Sequence, residues 1–160
     1  MTFAVPGRPR ERGVTLIEML IVVAIIGIMV GITFPAIGSG IESLRLSAAS
    51  DGVAGFLQSS LTRTERSQRM MELTISRADS SLTLAGENFQ RRYELQEGVK
   101  IVEILPVLPI DPALPRRFLL YPGGAPPRIA LRLVNRNGAE RMVSLDPITG
   151  VARIERVEPK

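Results

Sequence analysis

The chain has 160 residues, a formal net charge of +4 and no Cys, His or Trp, with a pI near 10.3. That length holds one domain of ordinary size beside an apolar segment, and the composition excludes disulfides, thiolate or imidazole metal ligands, and Cys-His or Ser-His catalysis. Arg8, Arg10 and Arg12 against Glu11 put half of the basic surplus before Gly13, so the remaining surface is an ordinary mixture of signs and the high pI is poor support for a nucleic-acid site.

Met19 to Phe34 contains no charged residue, and Thr15-Leu16-Ile17 before it and Ala36-Ile37 after it extend the apolar run. It reaches the roughly 20 residues that a helix needs to cross a bilayer. A buried core helix would require a much larger protein to cover every face. Basic residues precede the run, so the positive-inside bias predicts a cytoplasmic N-terminus and an extracytoplasmic domain after Ile37. Three readings compete. A cleavable secretory signal would have its basic region at Arg8 to Arg12 and its cut near Ala36 to Ser39; an ordinary anchor would stay; and a third kind of segment would have a use for Glu18. An acidic side chain in an apolar helix is a functional hypothesis by default, because lipid rejects it by about 2.5 to 3.5 kcal/mol at a helix centre and by less toward an end. The alternative is a glutamate resting in the headgroup layer. Gly27 and Gly31 form a small-xxx-small pair on one helix face, suited to close approach of another backbone. Pro35 lacks an amide hydrogen, which predicts a kink or loosening around Ile32 to Pro35.

After Gly38-Ser39-Gly40 the sequence becomes amphipathic. Leu46, Val53, Phe56, Leu57 and Leu61 recur at helical spacing, which predicts a helix to about Arg66, bent or melted near the glycines, with this stripe laid on a sheet. From Met70 the period changes to two. Met71, Leu73 and Ile75 alternate with polar residues, Asp79-Ser80-Ser81 reads as a turn, and Leu82 and Leu84 begin a return strand. Further strands are predicted at Phe89 to Leu95, Val99 to Ile104, Arg117 to Tyr121, Ile129 to Val134, Glu140 to Leu145 and Val151 to Val157, seven or eight in all. Asn135 to Gly138 and Asp146 to Gly150 carry turn chemistry. Pro106, Pro109, Pro112 and Pro115 make Leu105 to Arg117 an exposed loop.

"RGVTLIEML", Arg12 to Leu20, resembles the processing motif of type IV pilins and of the pseudopilins of type II secretion. The resemblance implies cleavage by a prepilin peptidase between Gly13 and Val14, N-methylation of Val14, and an assembly role for Glu18, fifth in the mature chain, where it would meet the new amine of a neighbouring subunit. The family more often has Phe where this chain has Val14. "LQSSLTRTERSQRMMELTIS" and "MVSLDPITGVARI" are similar to stretches of the H-type minor pseudopilins, the GspH/FimT family, at the end of the long helix and in the closing hairpin. The implied fold is α+β, a long N-terminal helix packed on an antiparallel β-sheet domain. Its expected divisions are a leader at 1–13, a transmembrane and filament-core helix at 14–38, an amphipathic helix at 39–66 and a periplasmic β-rich domain at 67–160.

The expected function is that of a minor pseudopilin, a non-catalytic subunit of a periplasmic pseudopilus that helps export folded proteins across the outer membrane. Its expected partners are the prepilin peptidase, other major and minor pseudopilins and the inner membrane, with no cofactor. The alternative within the motif is a minor type IV pilin of pilus assembly or DNA uptake, where Arg153, Arg156 and Lys160 could contact phosphates. Glu155 and Glu158 interleave with those cations and weaken that reading. A secreted binding domain freed by signal cleavage is the alternative from another class. Glu94, Glu97 and Asp146 lack the ligand density of a calcium loop, and no glycine-rich phosphate loop follows a strand and opens a helix.

Overall fold

The structure, a computed structural model, describes residues 14–109 and 111–157, apart from the side chains of 33–37 and 39. The chain divides between Gly38 and Ser39 into two compact units. One helix, α1 (Leu16–Ser67), carries residues of both. Gly38 and Gly40 are helical, so the melting expected there does not occur. The kink expected at Pro35 falls on side chains outside the described set.

Leu16 is the first helical residue, and the Glu18 amide donates to the Thr15 hydroxyl at 3.3 Å. Thr15 is thus an N-cap, with Glu18 at the third position as in a capping box. In the first unit every residue from 14 to 32 is exposed. Among the described residues no helix is long and apolar enough to cross a membrane. Part of the transmembrane helix expected at 14–38, residues 33–37, has side chains outside the described residues.

The second unit begins within α1. Leu46, Ala49, Val53, Phe56 and Leu57 are buried, and Leu61 packs against them partly covered. Ser50, Ser60 and Thr64 are buried on the same face. Each hydroxyl donates back to the carbonyl four residues earlier, Leu46, Phe56 and Ser60 respectively, at 2.7, 2.7 and 2.9 Å. That back-bonding satisfies the polar group without a partner from the sheets. The helix ends at Gln68, whose φ of 52° lies in the left-handed region and whose amide donates to the Thr64 carbonyl at 3.1 Å, doing at this terminus what glycine more often does.

Eight strands follow: β1 (Met71–Ser76), β2 (Ser81–Gly86), β3 (Phe89–Glu94), β4 (Val99–Leu105), β5 (Arg116–Leu120), β6 (Ala130–Asn135), β7 (Glu140–Leu145) and β8 (Ala152–Val157). They make two four-stranded sheets, β3-β2-β1-β5 and β4-β6-β7-β8, all pairs antiparallel. The local hairpins follow from turn chemistry. Two pairings do not: β5 joins β1, with Leu73 opposite Phe118, and β4 joins β6 with a register shift between Ile101 and Glu103. Leu73, Ile75, Leu82 and Leu84 from the first sheet, and Ile101, Leu131, Leu133 and Val143 from the second, close on the helix stripe in one buried cluster.

Polar turns tie this core together. The buried Asn135 accepts from the amides of Asn137 and Ala139 at 3.1 and 2.9 Å and donates from Nδ2 to the Glu42 carbonyl at 3.2 Å. In the next turn, Asp146 Oδ1 accepts from Ile148 and Thr149 at 2.9 and 3.0 Å, while Gly150 takes φ of 69°. The Thr149 amide, then that of Ile148, holds the Asp146 carboxyl below its ordinary value, with Arg153 adding to the effect.

Two measurements test these contacts. A methyl group at Gly52 would lie 2.0 Å from the Tyr93 hydroxyl, whereas one at Gly55 would meet open space. Tyr93 is held against Phe56 with ring centroids 6.0 Å apart, so G52A should lower the stability of the folded domain by about 1 to 3 kcal/mol less any helix-propensity gain. G55A should raise it by up to about 1 kcal/mol, and thermal unfolding of both variants separates the cases. For Asp146 the folded pKa is depressed, so its contribution is complete above the ordinary carboxyl value of 3.8 and is lost as pH falls through the lower folded value. The amide resonances of Ile148 and Thr149 should accordingly titrate with a midpoint below 3.8.

Candidate functional site

The residues singled out for processing and assembly lie at the start of α1. Gly13 is outside the described residues, as is the rest of 1–13. Val14 is 63 % exposed and precedes the helix. Glu18 occupies its first turn, where a negative side chain interacts favourably with the partial positive charge of the helix N-terminus. The sequence reading assigned Glu18 an assembly role and missed this local one, although Thr15-Leu16-Ile17-Glu18 carries the capping signature. At Gly27 and Gly31 an added methyl would meet no atom within 4 Å, so both leave an open face on the helix. The Pro35 side chain is not described.

The cations considered for phosphate contact are not brought together as one surface. Arg153 pairs with Asp146 at 3.0 Å. Arg156 is exposed and stands opposite Arg141 in the β7–β8 register. Three residues along a strand separate Arg153 from Arg156, which places them on opposite faces. Lys160 is outside the described residues. The carboxylates considered for metal binding are engaged: Glu94 with Arg92 at 2.9 Å, Glu97 with Arg136 at 2.7 Å, and Asp146 with Arg153.

The proline-rich segment between β4 and β5 borders a cavity of about 440 Å³. Arg116 fixes its ends by donating to the carbonyls of Ile104 and Pro106 at 2.9 and 2.5 Å. Arg132, also at the cavity, pairs with Glu103 at 2.8 Å and Glu140 at 3.6 Å. These contacts account for the charged groups as ties within and between strands. They assemble no nucleophile with a base, and among the described residues no group of three or more carboxylates is placed to hold a metal ion.

What remains distinctive is an apolar helix segment that begins with Val14 and Glu18, followed by a β-rich unit. Residues 8–34 match the family signature described as a prokaryotic N-terminal methylation motif. The fold is similar to that of the minor pseudopilin EpsH from the type 2 secretion system of Vibrio cholerae, with a TM-score of 0.53 over 70 % of this chain and 97 % of that one, at 11 % sequence identity. Comparison with curated proteins gives no significant match. The chain thus combines an N-terminal methylation motif with a pilin-like α+β fold similar to that of a minor pseudopilin.

Proposed function

We propose that the chain is a minor pseudopilin of a type II secretion system, a structural subunit that enters a periplasmic pseudopilus and helps move folded proteins across the outer membrane. The observation that carries this reading is the exposure of every residue from 14 to 32 at the start of α1. Leu16 is 80 % exposed, Ile17 67 %, Ile28 64 % and Ile32 72 %. Burying a single Leu or Ile side chain is worth about 1.5 to 3 kcal/mol, so a helix with this many uncovered on all sides is stable only where lipid or other helices surround it. The inner membrane before assembly and the filament core after it both meet that need. Arg8, Arg10 and Arg12 favour a cytoplasmic N-terminus and a periplasmic domain.

A prepilin peptidase cuts between Gly13 and Val14, and Val14 is then N-methylated. The new terminus is a cation. It lies four residues before Glu18, just ahead of the first helical turn, so a subunit displaced along the filament can present its amine to this carboxylate. In an apolar bundle such a pair is strongly dependent on both members, because a carboxylate left alone there is heavily penalised. Glu18 thereby selects and registers incoming major and minor subunits. Gly27 and Gly31 supply a face on which two backbones can approach.

Two experiments test this. Intact-mass and terminal-peptide analysis of protein isolated from membranes should find a chain beginning at methylated Val14; one beginning at Met1 or near Ser39 would refute the processing step. E18A should reduce co-assembly with other pseudopilins by roughly tenfold or more, equivalent to about 1.4 kcal/mol, while leaving the unfolding temperature of the β-rich unit unchanged. E18Q separates charge from capping, since Gln also serves at the third position of a capping box. Pairing with an amine predicts that E18Q assembles as poorly as E18A. Recovery of assembly in E18Q would assign the effect to the cap.

A further inference from the structure

On the outer side of the second unit, α1 and β3 border a groove of about 660 Å³ that contains Arg63, Arg66 and Arg91 and no acidic residue. The carboxylates nearest in sequence are all occupied elsewhere. Both oxygens of Glu65 accept from the Gly123 amide, at 2.9 and 3.1 Å. Glu87 pairs with Arg69, and Glu94 with Arg92. Among the described residues Arg63, Arg66 and Arg91 have no carboxylate within ion-pair distance; the same holds for Arg77, Arg116, Arg128, Arg141 and Arg156, but these three share one groove whose lining holds no carboxylate.

One of the three is stacked on an aromatic face and a second stands near one. The Arg63 guanidinium lies 3.5 Å from the centroid of the Phe89 ring, and that of Arg91 lies 5.7 Å from the centroid of Phe56. Stacking fixes the plane of a guanidinium without using its N–H groups, so the fork of donors stays open to a ligand. The geometry points to a docking site for an acidic segment of a partner protein, whose carboxylates pair with Arg63, Arg66 and Arg91.

Carboxylates fit this groove better than phosphates do. Ser59, Thr62 and Ser67 line it, but their hydroxyls donate to the carbonyls of Phe56, Gln58 and Thr64 at 2.9, 3.0 and 3.1 Å. The guanidinium edges and the Gln58 amide are left as donors, the Gln58 oxygen already accepting from Ala152 at 3.2 Å. The helix end beside the groove is a C-terminus, whose carbonyls carry partial negative charge and disfavour a concentrated dianion. Phosphate sites draw instead on backbone amides and helix N-termini. Single charges spread along a peptide and met by planar bidentate forks suit this arrangement.

The site does not rest on the secretion reading, and its test can fail or succeed independently of pseudopilus entry. Full-length protein in detergent would be titrated with a fluorescent peptide of alternating Glu and Ala, with a peptide of alternating Gln and Ala as control. Binding of the Glu peptide should weaken steeply with added salt. The double variant R66Q/R91Q should lose roughly tenfold or more in affinity through the loss of charge-assisted bonds, while R153Q/R156Q, which changes the net charge equally, should bind as the parent does. Equal loss in both double variants would mean attraction to net charge alone and would overturn the proposal. So would unchanged binding in R66Q/R91Q, or displacement of the peptide by duplex DNA or inorganic phosphate at lower charge concentration than by unlabelled Glu peptide. Thermal unfolding of R66Q/R91Q, with the stacked Arg63 intact, verifies that the domain remains folded.

Discussion

The second unit depends on burial of one face of α1. Val53, Phe56 and Leu57 contribute apolar side chains to the same cluster as Leu73 and Ile75 from one sheet and Leu131 and Leu133 from the other. Neither sheet is closed, and a four-stranded sheet has an apolar face that must be covered to be stable in water. The helix stripe provides a cover that both sheets share. Small residues widen it: Ala49 lets the chains approach, and Ser50, Ser60 and Thr64 turn their hydroxyls back onto the helix, so that a face containing three polar side chains packs as though it were apolar.

The first unit has the opposite character. Its apolar side chains are exposed from Val14 to Ile32, and no periodic polar stripe relieves them. One helix thus carries two kinds of surface: an amphipathic face that packs in a folded domain, and an exposed apolar surface from Val14 to Ile32. Glu18 at the first turn joins the two concerns of that segment. Its backbone is capped by Thr15, and its carboxylate is the acidic group of an otherwise uncharged stretch.

Charge elsewhere in the second unit is mostly spent on local ties. Arg132 bridges neighbouring strands through Glu103 and Glu140, and Arg153 closes on Asp146. Each such surface pair contributes little on its own, but together they remove cations from the surface that would otherwise attract anions. The basic surplus that a count of residues reveals is therefore not where accessible positive charge resides. Part of that charge lies at Arg63, Arg66 and Arg91, which share a groove whose lining holds no carboxylate.

Local patterns carried much of the structure. The period-two alternation of Met71, Leu73 and Ile75 marks a strand wherever that strand is placed, and the turn chemistry of Asn135 to Gly138 and Asp146 to Gly150 forces neighbouring strands together, so strand positions and hairpins were legible in the chain. The methylation motif over residues 8–34 was legible for the same reason, since it resides in short spacing. Pairing of β1 with β5 was not, because the residues between them fix no register and the partner is chosen by burial of Leu73 and Ile75 against the whole core. The division into two sheets, the buried hydroxyls of Ser50, Ser60 and Thr64, and the cluster of unpaired arginines on α1 and β3 were hidden likewise. Sequence determined which segments are helix, strand or turn, since backbone sterics and side-chain period act over a few residues; only tertiary structure decided which segments meet and which charges remain unpaired, since those outcomes depend on contacts between residues far apart in the chain.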